Sequence, residues 1–128
     1  MTMDAGDGAM ATSDVLAGRV WLGESIDGSR LGGDEPVTLE FGHDGRVSGS
    51  TGVNRYTASY AVAGDSVTFG PLAVTRREGS AAAIEQEHKV VGSLAGRCPF
   101  HLEGEDLVFD GPLGVVRCRP LGRAPVSS

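Results

Sequence analysis

A chain of 128 residues holds one domain comfortably and two only with difficulty. At that size roughly two-thirds of the unfolded surface can be buried, so neither a disulfide nor a metal staple is required. Its 17 acidic and 11 basic residues leave a net charge of -6, a field that repels phosphate backbones and argues against nucleic acid as a partner. No stretch approaches the ~20 apolar residues that a membrane-crossing helix needs.

Residues 1–14 carry Asp4, Asp7 and Asp14 without a Lys or Arg, and lack the apolar run of a signal peptide. They read as a disordered tail ahead of a domain over residues 15–120, and they predict a cytoplasmic location. Aromatic residues are few, so Val, Leu and Ala must supply most of the core, and the 20 scattered glycines predict many turns.

Period-two patterning then dominates. An opening strand is expected over residues 19–26. Val37, Leu39 and Phe41 alternate with Thr38 and Glu40, Gly42-His43-Asp44-Gly45 turns, and Arg46-Val47-Ser48-Gly49 returns, a hairpin whose Asp-Gly pair suits positive φ. A second hairpin pairs Tyr60 and Val62 with Val67 and Phe69 across Gly64-Asp65. One helix is expected from Ser80, a plausible N-cap, to about Ala95, with Ile84, Val91 and Leu94 on one face and His88 beside them. A third hairpin joins Phe100-His101-Leu102 to Leu107-Val108-Phe109, and a last strand covers residues 115–119. Residues 121–128 read as a flexible tail. The architecture predicted is mostly β: about eight strands in a curved antiparallel sheet or a partly open β-barrel, with one α-helix packed over an edge or an end.

Little in the residues points to catalysis. His43, His88 and His101 fall in a turn, a helix and a strand, without a Ser, Cys or carboxylate pattern of a known nucleophile. Cys98 and Cys118 have no histidines at ligand spacing, so no metal and no cofactor is expected. Alternation puts Cys118 beside Val116 and opposite Arg117 and Arg119, as a small buried hydrophobe. Two basic spots, Arg76-Arg77 and Arg117 with Arg119, suit solvated strand ends and loops. The best binding candidates are Asn54, Arg55, Tyr56 and Tyr60: Asn tolerates left-handed turns, and Tyr joins an apolar ring to a polar tip. The plainer account makes Asn54 a loop-former and both tyrosines barrel packing. A site would instead need Arg55 exposed beside a cavity.

The stretch from Gly45 to Tyr60, with Gly45, Gly49, Gly52, Asn54, Tyr56 and Tyr60 in register, resembles the signature of the META (HslJ-like) family, G-x-x-x-G-x-x-G-C-N-x-Y-x-G-x-Y. Trp21-Leu22, Gly64 to Phe69, Leu72 to Arg76, Glu85-Gln86-Glu87 and Glu103 to Leu107 follow in the family's order, over residues 16–119. Several positions depart from it. Leu22 directly follows Trp21, with Gly23 next, where members often have Trp-x-Leu. The family's cysteines are replaced by Val53 and by Gly79, in Arg77-Glu78-Gly79, and Ala58 stands where a glycine is usual. If those cysteines bridge in exported relatives, their joint loss suits a reducing compartment. The resemblance implies a cracked-barrel fold and an association with heat shock and other stress, without a shared reaction. A non-catalytic, monomeric binding module with an unknown protein partner is therefore expected. Carriage of a small apolar or lipid ligand in a partly open barrel is the alternative, and an unrecognised hydrolase the third possibility.

Overall fold

The computed structural model describes residues 16–32 and 35–123. The tail expected over residues 1–14, and residues 124–128 of the other, lie outside them. Among the described residues the order is β1 (Arg19–Ile26), β2 (Ser29–Arg30), β3 (Thr38–Phe41), β4 (Arg46–Ser50), β5 (Arg55–Ala63), β6 (Ser66–Phe69), β7 (Ala73–Val74), α1 (Ala81–Ser93), β8 (Gly96–Glu103), β9 (Asp106–Gly111) and β10 (Gly114–Arg123). Three hairpins, the opening strand, the helix and the closing strand stand where the patterning puts them.

The strands pair antiparallel in the order β1-β3-β4-β5-β6-β8-β9-β10, and β10 returns to pair with β1. This is a closed eight-stranded barrel; β2 and β7 are two-residue additions to β1 and β5. Closure removes the long edges that an open sheet would expose. It depends on a final strand longer than its sequence signal. Gly122 and Arg123, expected in a tail, pair with Val20 and Arg19. Pro120 and Gly122 hide the strand from propensity, and Pro120 is accommodated opposite Trp21 beside a register shift between Val20 and Trp21.

The inward faces form one interior. Trp21, Leu39, Phe41, Val47, Val67, Leu107 and Phe109 are all buried, and Cys98 and Cys118 join them. Phe41 and Phe69 have ring centroids 6.4 Å apart, and Phe69 and Phe109 are 5.9 Å apart. Cys118 lies inside next to Val116, while Arg117 and Arg119 face outward to Asp106 (3.1 Å) and Glu24 (3.4 Å).

Helix α1 lies across the barrel end where β1 and β9 finish and β8 and β10 begin. Ser80 caps it, its Oγ accepting the Ala83 N–H at 3.1 Å. Its buried face is Glu87, Val90 and Ser93, followed by Leu94; of the expected stripe of Ile84, Val91 and Leu94 with His88 beside it, Leu94 is buried and the rest are not. Val90 and Leu94 enter the interior because Gly111, lacking a side chain, lets the Ser93 backbone close on the barrel rim. Ile84 and Val91 are left half-buried on the flank, and His88 is exposed.

Candidate functional site

The residues linking β4 to β5 form the structural centre of the helix end. A side chain at Gly49 would run into the Thr38 backbone carbonyl, and Gly52 adopts φ +103° close under Gln86. Between them and β5 the chain turns tightly. The Thr51 N–H donates to the Asn54 carbonyl at 2.7 Å, and the Asn54 N–H donates back to Thr51 Oγ1 at 2.9 Å. Glycines at these positions are therefore demanded by close approach and backbone sign.

Asn54, 2% exposed, uses both ends of its side chain. Its Nδ2 donates to Glu87 Oε2 of α1 at 2.9 Å, and its Oδ1 accepts from the Arg77 N–H at 2.5 Å and from Thr75 Oγ1 at 3.1 Å. The Thr51 hydroxyl also reaches Glu87, at 3.1 Å. One residue thus ties the β4–β5 turn, the segment after β7 and the helix. Gln86 adds a second clamp, donating to the Gly32 carbonyl at 2.6 Å and accepting the Gly32 N–H at 2.9 Å. Outside this lies a weaker ring, in which Ser50 donates to Glu35 at 3.0 Å and Arg77 pairs with Glu35 at 3.4 Å.

The four residues singled out from sequence do not converge. Tyr56 is buried in the interior and donates to the Thr38 carbonyl at 2.8 Å. Tyr60 meets Phe41 edge to face at 4.9 Å and donates to the Gly42 carbonyl at 2.6 Å, toward the opposite barrel end. Burial pushes the phenols of both tyrosines up. Arg55 is exposed on the outer wall, along a shallow groove of about 380 Å³ with Ser48 and Thr57. Only Asn54 reaches the helix end. The spacing from Gly45 to Tyr60 is thereby explained locally, as turn, close approach, polar anchor and two tyrosine-to-carbonyl ties.

The residues that sequence reading passed over are Glu87, Thr51 and Thr75. Glu87 carried a usable signal, because it interrupts the apolar spacing of Ile84, Val91 and Leu94 from within. A carboxyl group on a core-facing helix stripe requires buried partners.

Beside this network lies an open cleft of about 560 Å³ between β7 and α1. Leu72, Val74, Ile84 and Val91 make its apolar part, and Arg76, Arg77 and His88 its basic rim, with Asn54 and Glu87 at the base. Val53 and Gly79, where the family resemblance would place cysteines, meet at the same end. A Cβ built on Gly79 would stand 3.6 Å from Val53 Cβ. At Ala58 the backbone φ is not positive, so the missing glycine is not required there.

The other reactive groups are dispersed. His101 pairs with exposed Glu103 at 3.0 Å near the far end, and His43 packs against Gly18. Cys98 and Cys118 are free and buried, and burial pushes both thiols up, Cys118 to about 12. Among the described residues no group of three His, Cys, Asp or Glu side chains is placed to hold a metal ion, and no helix is long and apolar enough to cross a membrane.

The family model for the META domain matches residues 14–117. No curated protein matches the chain significantly. A protein solved by NMR superposes with a TM-score of 0.70 at 19% identity, over 84% of this chain and 92% of its own. The NMR structure of a protein from Burkholderia xenovorans gives a TM-score of 0.65 at 22% identity, over 90% of this chain and 88% of its own. At these identities the likeness is one of fold.

Proposed function

The chain belongs to the META domain family, and from that premise we propose that it is a non-catalytic, stress-related protein-binding module, acting as a cytoplasmic monomer through the cleft between β7 and α1. One observation carries the reading: the barrel interior is full. Trp21, Phe41 and Phe109 are each at most 1% exposed, and the pocket lined by Ile26, Leu39, Val90 and Leu94 has a volume of about 10 Å³. That is the room of about one water molecule, where a carried apolar ligand needs roughly 300 Å³ or more. Recognition is left to the outer surface, and the cleft offers apolar side chains framed by charge.

Two further facts support the absence of catalysis. Both thiols are held in the unreactive protonated form, and the three histidines lie on separate elements without shared geometry. The buried, unpaired cysteines suit a reducing compartment. The tie to stress comes from the family likeness; a rise in the protein's level after heat shock of its host is the expected outcome.

Native mass spectrometry of the protein isolated from its host tests the binding reading. The expected result is a protein-sized adduct that is lost when Ile84→Asp or Val91→Asp places a charge in the cleft. An adduct of lipid mass that survives both substitutions would overturn it.

A further inference from the structure

The eight-stranded wall is closed, but beside the cleft the two-residue β7 leaves a short free edge. Strand β8 begins at Gly96 opposite Phe69, the last residue of β6, so β7, which continues the same line, has no strand on its outer side among the described residues. Its hydrogen-bond polarity is fixed by β5. The Thr75 N–H donates to the Arg55 carbonyl at 2.9 Å, which makes Val74 and Tyr56 a non-hydrogen-bonded pair. Val74 therefore turns its own N–H and C=O away from β5, to the outer edge. The Arg77 N–H points inward to Asn54, so the backbone of Arg76 continues the outward alternation. Both outward residues line the cleft.

From this edge, resting on the protein-binding reading above, we infer that the cleft receives an extended segment of a partner protein as an added strand on β7, and that the segment's cleft-facing side chains, at every second residue, are apolar opposite Leu72 and Val74 and acidic from the position opposite Arg76 onward. Added strands gain affinity from main-chain bonds and specificity from pockets for alternate side chains. Here the apolar positions meet Leu72, Val74, Ile84 and Val91. The acidic ones meet a rim that is basic on a chain of net charge -6: Arg76 makes no ion pair among the described residues, Arg77 shares only the exposed Glu35, and Glu87 is occupied by Asn54 and Thr51. A lysine-bearing strand would find like charge there.

The test is an amide NMR titration of the full chain with three peptides. One carries Val, Val and Glu at successive second positions with Thr between them, one has Lys in place of that Glu, and the third is the Val–Glu peptide N-methylated at alternate residues. The Val–Glu peptide is expected to shift the Val74 and Arg76 amides and slow their hydrogen exchange, while the other two bind at least about tenfold more weakly. Arg76→Glu, checked for an unchanged melting temperature, should reverse the preference between the Glu and Lys peptides. Val74→Pro, which deletes an outward donor and spares the ladder to β5, should weaken binding.

Equal binding by the N-methylated peptide overturns the proposal, as does the absence of saturable shifts at about 1 mM peptide. Protection of the Val74 and Arg76 amides before any peptide is added would put a segment of this chain on the edge, and overturns the partner assignment. Failure of the peptides beside a retained protein adduct sinks the added strand alone; a lipid adduct sinks the binding reading itself.

Discussion

The two ends of this barrel are closed by different physics. At the hairpin end Phe41 meets Tyr60 edge to face, Leu16 is fully buried, and the turns use left-handed glycines at Gly45, Gly64 and Gly104. The turns of that seal are each specified within a few residues, and the apolar burial beneath them is indifferent to direction. At the helix end, α1 arrives from far along the chain and is fixed by Asn54, Thr51 and Glu87 through directional bonds. A polar seal of this kind holds only when every member is satisfied, since an orphaned buried group costs more than its bond contributes. The cleft and the free strand edge lie at the polar end, where closure is conditional.

If the hairpin end is held by burial, Phe41→Ala should lower the unfolding free energy by about 3–5 kcal/mol in a denaturant melt. A loss below about 1 kcal/mol would mean that its seal lies elsewhere. The helix end can be reinforced covalently by the pair Val53→Cys and Gly79→Cys. The spacing of 3.6 Å between the Val53 Cβ and a Cβ built on Gly79 lies within the range of about 3.5–4.5 Å for disulfide Cβ atoms, and shortening Val53 removes its Cγ2 from the new side chain's path. The oxidised form should gain about 3 kcal/mol, and reductant should return it to the level of the parent. Failure to oxidise would show that the two segments do not meet as described. Next in size, Asn54→Ala should cost about 1–3 kcal/mol by stranding Glu87, Thr75 and the Arg77 amide. Adding Glu87→Leu should cost less than the sum of the two changes, because a carboxyl removed together with its amide partner is no longer stranded. Additive losses would mean the network acts as independent bonds.

The same contrast decides what could be read from sequence. The hairpins at residues 37–49, 59–69 and 100–109 are legible because alternation and a turn signal coincide within a few residues. Barrel closure is not, because it rests on Gly122 and Arg123 pairing with β1 across a bulge at Pro120, and neither Pro nor Gly advertises a strand. The helix is legible in extent, but its orientation is off by about one position: Gly111, distant in sequence, sets the approach. At the candidate site Asn54 could be found from its turn, whereas Thr75 and Arg77 contribute through backbone and hydroxyl contacts without a sequence pattern. The Tyr56 and Tyr60 periodicity reports packing along β5, which places them inside and away from Arg55.

Between the two ends the interior should reveal itself by excluding charge. Cys118 is fully buried, and desolvation, with Glu24 and Asp106 adding to it, raises its thiol from 9.0 to about 12. The unfolded chain therefore releases this proton at lower pH than the folded one. The stability that Cys118 contributes is complete below the unfolded value and falls away as pH rises from there toward about 12. Between pH 9 and 10 the parent should lose about 1 kcal/mol through this thiol. Cys98 shifts in the same direction and adds to the slope, whereas Tyr56 and Tyr60 contribute only above the ordinary phenol range. Cys118→Ala should flatten the pH dependence without abolishing it. Equal slopes for parent and variant would show that water reaches the middle of the barrel, and the helix end would then be guarding a wetter interior than its packing implies.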